Sequence, residues 1–155
     1  MQPRVIETDA IDSLNPENLD STLKLIGAVD IGYCKVDDRK GVAALIVCEY
    51  PSLKVVYEDY HEDMNIPYPY IPGFLAFKEV PLYKVLFDRL KKNRPEMMPQ
   101  VLMVDGNGVL HPRSYGCACH IGVTFDIPTI GIAKNPFDVD GLNKSNIKEK
   151  CESGL

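Results

Sequence analysis

Between Leu23 and Tyr60 the chain holds three strand-length runs separated only by short turns. The first run, Leu23, Leu25, Ile26, Ala28, Val29 and Ile31, takes in Asp30 and closes on Gly32-Tyr33. A turn over Val36-Asp37-Asp38-Arg39-Lys40-Gly41 leads to the second, Val42 to Tyr50, and Pro51-Ser52 turns into the third, Leu53 to Tyr60. A parallel crossover needs about a dozen residues or more, so strands this close in sequence pair antiparallel, as a meander.

The texture then changes. Pro67-Tyr68-Pro69-Tyr70-Ile71-Pro72-Gly73 is a stiff loop in which three prolines fix φ and remove backbone donors. Beyond it, Leu82, Val85, Leu86 and Leu90 recur at helical spacing, with Pro81 expected to start or kink that helix. Gln100 to Val104 is continuously apolar and closed by Asp105, which suits a buried parallel strand reached through a helix. A loop with Gly106-Asn107-Gly108, a helix over Tyr115 to Thr124 and a fifth strand over Pro128 to Ala133 complete the pattern. The order βββ-α-β-α-β describes an α/β domain with a mixed sheet.

Length and charge bound what such a domain does. A chain of 155 residues with 45% hydrophobic residues is enough for one core. Seventeen Lys and Arg against 22 Asp and Glu give a net charge of −5, which excludes a polybasic coat; any phosphate-binding surface is local or metal-assisted. No apolar run approaches the roughly 20 residues of a membrane span, and the first residues lack the apolar core of a signal peptide. The cysteines, Cys34, Cys48, Cys117, Cys119 and Cys151, are odd in number and form no CxxC. A soluble protein of a reducing, intracellular compartment is expected.

Asp30 and Asp105 each interrupt or close an apolar run, and an unpaired buried carboxylate is costly. On neighbouring strands the two lie about 5 Å apart, a separation that lets them share a hard divalent ion, with Glu79 as a third ligand. The alternative is that both aspartates cap turns. In Asp105-Gly106-Asn107-Gly108, followed by His111 and Arg113, the glycines let backbone approach a ligand, although most Gly-x-Gly pairs are simply turns. Cys117-Ala118-Cys119-His120 reads as helix packing before it reads as a zinc site. Tyr70, between prolines, is either a ring held out for stacking on bases or a core residue. Lys134 either reaches a phosphate or is a solvated strand end. Cys34 and Cys48 read as ordinary strand residues.

Four segments together are specific: VDIGY (29–33), PYIPGFLAFKE (69–79), VDGNGVLHPRSYGCACHIGV (104–123) and PTIGIAKN (128–135). They resemble the endonuclease V family, in texture its animal members, over about Leu25 to Gly141. The resemblance implies a ribonuclease H-like fold, with a five-stranded mixed sheet, three antiparallel strands first, flanked by helices. It divides the chain into a lead-in over 1–22, the domain over 23–141 and a divergent tail over 142–155. It implies a nuclease using Mg²⁺, with Mn²⁺ able to substitute, that cuts inosine-containing single-stranded RNA at the second phosphodiester bond 3′ to the inosine. The products carry 3′-hydroxyl and 5′-phosphate ends, and deaminated DNA is the other substrate. Asp30, Glu79 and Asp105 are then the metal ligands, with Lys134 near the scissile phosphate and His111 close to metal and phosphate. Pro69, Tyr70, Ile71 and Pro72 form the wedge, and Gly73, Leu75, Gly106 and Gly108 the hypoxanthine pocket, with Cys117 in the same substrate-binding set. A monomer in the cytoplasm, and also the nucleus or nucleolus, goes with this reading.

The resemblance also implies further helix and a Ser-x-Gly-His-type segment beyond Gly141, where this chain has LNKSNIKEKCESGL. Without that segment one sheet face is expected to expose apolar side chains. Two other readings stand beside the nuclease: a catalytically weak inosine-RNA-binding protein, and an inactive domain of the same fold.

Overall fold

The computed structural model describes residues 22–135, 137–139, 141, 143, 146 and 147. Cys151, the lead-in up to residue 21 and most of the 142–155 tail fall outside them. The first three strands are β1 (Leu25–Tyr33), β2 (Gly41–Glu49) and β3 (Val55–Asp63), joined by tight turns and antiparallel throughout. Helix α1 (Leu75–Asn93) and a short 3-10 turn (Pro95–Met97) lead to β4 (Val101–Asp105). Helix α2 (Cys117–Phe125) and β5 (Thr129–Ile132) follow. The sheet order is β3-β2-β1-β4-β5, with β4 parallel to β1 and β5 parallel to β4. This is the mixed five-stranded sheet with flanking helices expected of a ribonuclease H-like fold.

Alternation along the strands sends Val29 and Ile31, Ala43, Leu45 and Val47, and Leu102 and Val104 to one face, where they are buried. Against that face α1 lays Ala76, Leu82, Tyr83, Leu86, Phe87 and Leu90, a stripe at helical spacing. Phe125 of α2 stacks on Phe87 at 4.4 Å, which ties the two helices together over one core. The opposite face is open among the described residues: Val42, Met103, Ile130 and Ile132 are all exposed there.

Several boundaries differ from the sequence reading. The helix begins at Leu75, so Pro81 lies inside it and Glu79 belongs to the helix rather than preceding it. Proline removes the bond to the carbonyl four residues back; that residue is Phe77, an exposed position where water can serve. The third strand runs on to Asp63 because β2 pairs with it along its whole length. The second helix starts at Cys117, two residues late, because Gly116 is still extended. Cys34 lies just past β1 and is exposed, whereas Cys48 is a strand residue. No helix among the described residues is long and apolar enough to cross a membrane.

Candidate functional site

The β1–β4 register ends at Val29 opposite Val104, so the next position on each strand is Asp30 and Asp105. The two carboxylates therefore stand side by side on the open face, both exposed. Oδ1 of Asp30 accepts the Ile31 N–H at 2.8 Å.

Glu79 approaches the same strand ends from α1 and is only 5% exposed. Its hydrogen-bond partners are neutral. Tyr33 donates to Oε1 at 3.5 Å, Tyr83 to Oε2 at 3.3 Å, and the Cys117 thiol to Oε2 at 3.7 Å. Burial pushes the Glu79 carboxyl up to about 7, against the hydrogen bonds from Tyr83 and Cys117, and the charges of Asp105 and Asp30 push the same way as burial. Burial beside that carboxylate also raises both tyrosine hydroxyls and the Cys117 thiol. A buried acid with neutral donors and two acidic neighbours lacks positive charge, so the donor chemistry fits a hard divalent cation held by oxygen. Among the described residues the side chains do not stand as a closed cluster of three ligands. The nearest buried cation, Lys78, pairs instead with Asp38 at 2.8 Å and lies 4.5 Å over the Tyr33 ring.

Beside the carboxylates lies a cavity of about 480 Å³, lined by Gly73, Leu75, Gly106, Cys117 and His111 and by residues the sequence reading did not single out. That size is usual for a small-molecule or nucleotide site. Gly73 and Gly106 both have left-handed backbone, with φ of +79° and +129°. A Cβ at Gly106 would crowd Cys117 at 3.0 Å, whereas at Gly73 it is the left-handed backbone rather than space that favours glycine. His111 is 4% exposed; its Nδ1 accepts the Arg113 N–H at 3.2 Å and its ring meets Phe137 edge-on at 5.0 Å. Burial, with the Arg113 charge, holds its pKa below the usual histidine value. Arg113 reaches across to donate to the Gly73 carbonyl and lies 4.1 Å over the Phe74 ring. Pro69, Tyr70, Ile71 and Pro72, the expected wedge, are exposed, and Tyr70 reaches the cavity, so its side chain is not part of the core.

Two predicted site residues stand apart. Gly108 is not in the cavity wall; its carbonyl accepts the Gly116 N–H at 2.9 Å and its amide packs on Gly131 of β5. Lys134 is exposed just beyond β5, which reaches the Asp105 end of β4 because the Gly106 N–H bonds the Ile132 carbonyl. Cys117 and Ala118 are buried, the packing role expected of that segment. The sequence reading missed Tyr33, Tyr83, Phe74, Phe77, Tyr115 and Gly116, and weighed His120 only for helix packing or zinc rather than for the cavity it lines. Gly116 lay inside the predicted helix; the structure sets it just before α2, where a Cβ would clash with the Asn107 backbone.

Residues 9–153 match the family model for endonuclease V. Mouse endonuclease V is 44% identical over 97% of this chain, and human endonuclease V 47% identical over 84%, though the chain spans only 44% and 46% of those proteins. The solved catalytic domain of human endonuclease V superposes with a TM-score of 0.77 at 42% identity, over 87% of this chain and 55% of that one. Ciona intestinalis endonuclease V, in complex with a 23mer DNA containing an inosine followed by a ribo-adenosine, gives 0.78 at 33% identity over 87% and 58%. By sequence and by fold alike, the chain belongs to the endonuclease V family.

Proposed function

We propose that this chain cuts inosine-containing nucleic acid, single-stranded RNA before deaminated DNA, at the second phosphodiester bond 3′ to the inosine. The observation that supports the reading is Glu79, buried with only neutral hydrogen-bond partners and within reach of the charges of Asp105 and Asp30, beside an aromatic-walled cavity that includes Gly106 and Cys117. The solved Ciona relative, bound to DNA containing an inosine, supports the choice of base.

Asp30, Glu79 and Asp105 would hold Mg²⁺ or Mn²⁺. When bound, such an ion supplies an activated water and neutralises charge growing on the phosphate oxygens. The chain's own residues supply the rest. Tyr33, Tyr83 and Cys117 hold Glu79 in one orientation by donating to both of its oxygens. Lys134 places a cation near the phosphate. The Pro69-Tyr70-Ile71-Pro72 loop fills the gap left by the extruded nucleotide, whose unstacking costs a few kcal/mol. The extruded hypoxanthine enters the cavity between Gly73, Leu75 and Gly106, and the glycines let backbone meet the base edge. His111 closes the cavity floor as a neutral ring.

A second reading, an inosine-RNA binder with weak or no cutting, is favoured by one observation: among the described residues no three ligand side chains stand together as a metal-holding group. A labelled inosine-containing RNA incubated with the protein, with and without Mg²⁺, separates the two. Mg²⁺-dependent cutting gives the nuclease, retention without cutting gives the binder, and neither leaves a domain inactive on inosine.

A further inference from the structure

The rings around the cavity mouth differ from those in the core. In the core, Phe87 and Phe125 stack nearly parallel, 4.4 Å apart with 23° between planes, and so satisfy each other's faces. At the mouth, Phe74 meets Phe77 at 6.1 Å and 44°, Phe77 meets His120 at 5.0 Å and 81°, and Tyr115 meets His120 at 6.0 Å and 40°. No pair in this series is a parallel stack; the edge-to-face and tilted pairs cover at most one face of a ring, so each pair leaves ring faces without a stacked partner. They also stay wet: Phe77 is 58% exposed, Phe74 44% and Tyr115 39%.

The series is continuous because two elements deliver it to one place. Phe74 and Phe77 are one turn apart at the start of α1, and Tyr115 and His120 frame the start of α2. All four residues line the cavity. Arg113 covers one face of Phe74, which leaves Phe77, His120 and Tyr115 as the open stretch. Burial lowers the His120 pKa, so near neutral pH it presents an uncharged ring.

We propose that Phe77, His120 and Tyr115 form a second base-binding subsite, which stacks an unpaired nucleobase flanking the extruded one. The subsite deepens the inosine reading above and takes as ligand any base of a single strand, since every base offers a π-face. It also answers a problem of charge. A chain of net charge −5 draws little from phosphates, and stacking grips a strand without them. Duplex substrates, whose flanking bases are already stacked on partners, gain nothing from it.

The test is binding of a short labelled single-stranded RNA with one inosine, read by fluorescence anisotropy in EDTA across a salt series. Phe77→Leu keeps apolar volume but removes the ring, and Tyr115→Leu provides a second, independent probe. Each should weaken binding about 5- to 150-fold, the range expected for one lost base stack. The salt slope should stay unchanged, whereas Lys134→Ala should lower it by about 0.7. Strands carrying an abasic nucleotide on the 5′ or the 3′ side of the inosine locate the partner: on one of them the Phe77→Leu loss should vanish. Full affinity in both leucine variants, or an equal loss on both abasic strands, overturns the subsite. Equal wild-type binding of inosine and adenosine strands would sink the inosine reading instead, and the abasic comparison would still decide the subsite.

Discussion

The acidic corner and the aromatic cavity share a wall but are built by different means. Asp30 and Asp105 are placed by strand register: once β4 pairs parallel with β1 from Ile26 to Val29, the two aspartates have to adjoin. The cavity is placed by loops, held by contacts such as Arg113 on Phe74 and Gly116 against Asn107. Register tolerates little sliding, because a one-residue slip turns every side chain to the other face. Loop walls rest on single side chains and single glycines. The first region should therefore fail in chemistry, and the second in shape and selectivity.

The largest effect is expected at the corner. Asp30→Ala should cut the cleavage rate on inosine-containing RNA by about a thousandfold or more, some 4 kcal/mol of transition-state stabilisation, while much of the RNA binding survives. Cleavage at the normal rate in a single-turnover assay would remove Asp30 from the metal site.

Next comes the cost of burying Glu79. Its folded pKa of about 7 stands above the ordinary glutamate value of 4.5, so between those values the folded chain holds a proton that the unfolded chain has lost. Stability of the metal-free protein should therefore fall as pH rises through that window, and Glu79→Gln should escape the fall. In urea melts without divalent ions the variant should gain about 3 kcal/mol over the parent at pH 8, with the two converging near pH 4. Parallel pH profiles would mean that Glu79 is already compensated.

In the cavity wall, Gly116→Ala forces a methyl against the Asn107 backbone, while at Gly108 the nearest atom to an added methyl is 4.0 Å away. The first should cost about 1–3 kcal/mol in thermal melting and the second under about 0.5. Similar losses at both would show that the loop gives way. The smallest effect belongs to Tyr70, whose ring is 56% exposed. Tyr70→Ala should reduce the preference for inosine over adenosine by up to the 1–3 kcal/mol of one lost stack, roughly. An unchanged preference in a competition assay would take the ring out of recognition.

The same contrast explains what the sequence made legible. The meander follows from turn length, and the parallel β4 from a continuous apolar run reached through a helix. The pairing of Asp30 with Asp105 depended on their strands being neighbours, a long-range fact of the β1–β4 register. The start of α1 was hidden because Glu79 occupies a core position of its stripe and breaks the apolar period. Tyr33 and Tyr83 carried no mark either: a tyrosine donating to a buried acid has the same spelling as one in any core. The cavity rim depends on α1 and α2 beginning side by side, a tertiary fact that no periodicity encodes. The resemblance to endonuclease V supplied the wedge and the pocket glycines, and the structure sets Gly108 apart from that wall.

The account rests on one claim, that the corner takes a divalent ion and thereby relieves the buried Glu79. Thermal melting at pH 8 with and without Mn²⁺, for the wild-type chain and for Asp105→Asn, tests it most directly. Mn²⁺ should raise the melting temperature of the wild type and leave that of Asp105→Asn nearly unmoved. An equal rise in both proteins, or no rise in either, would contradict it.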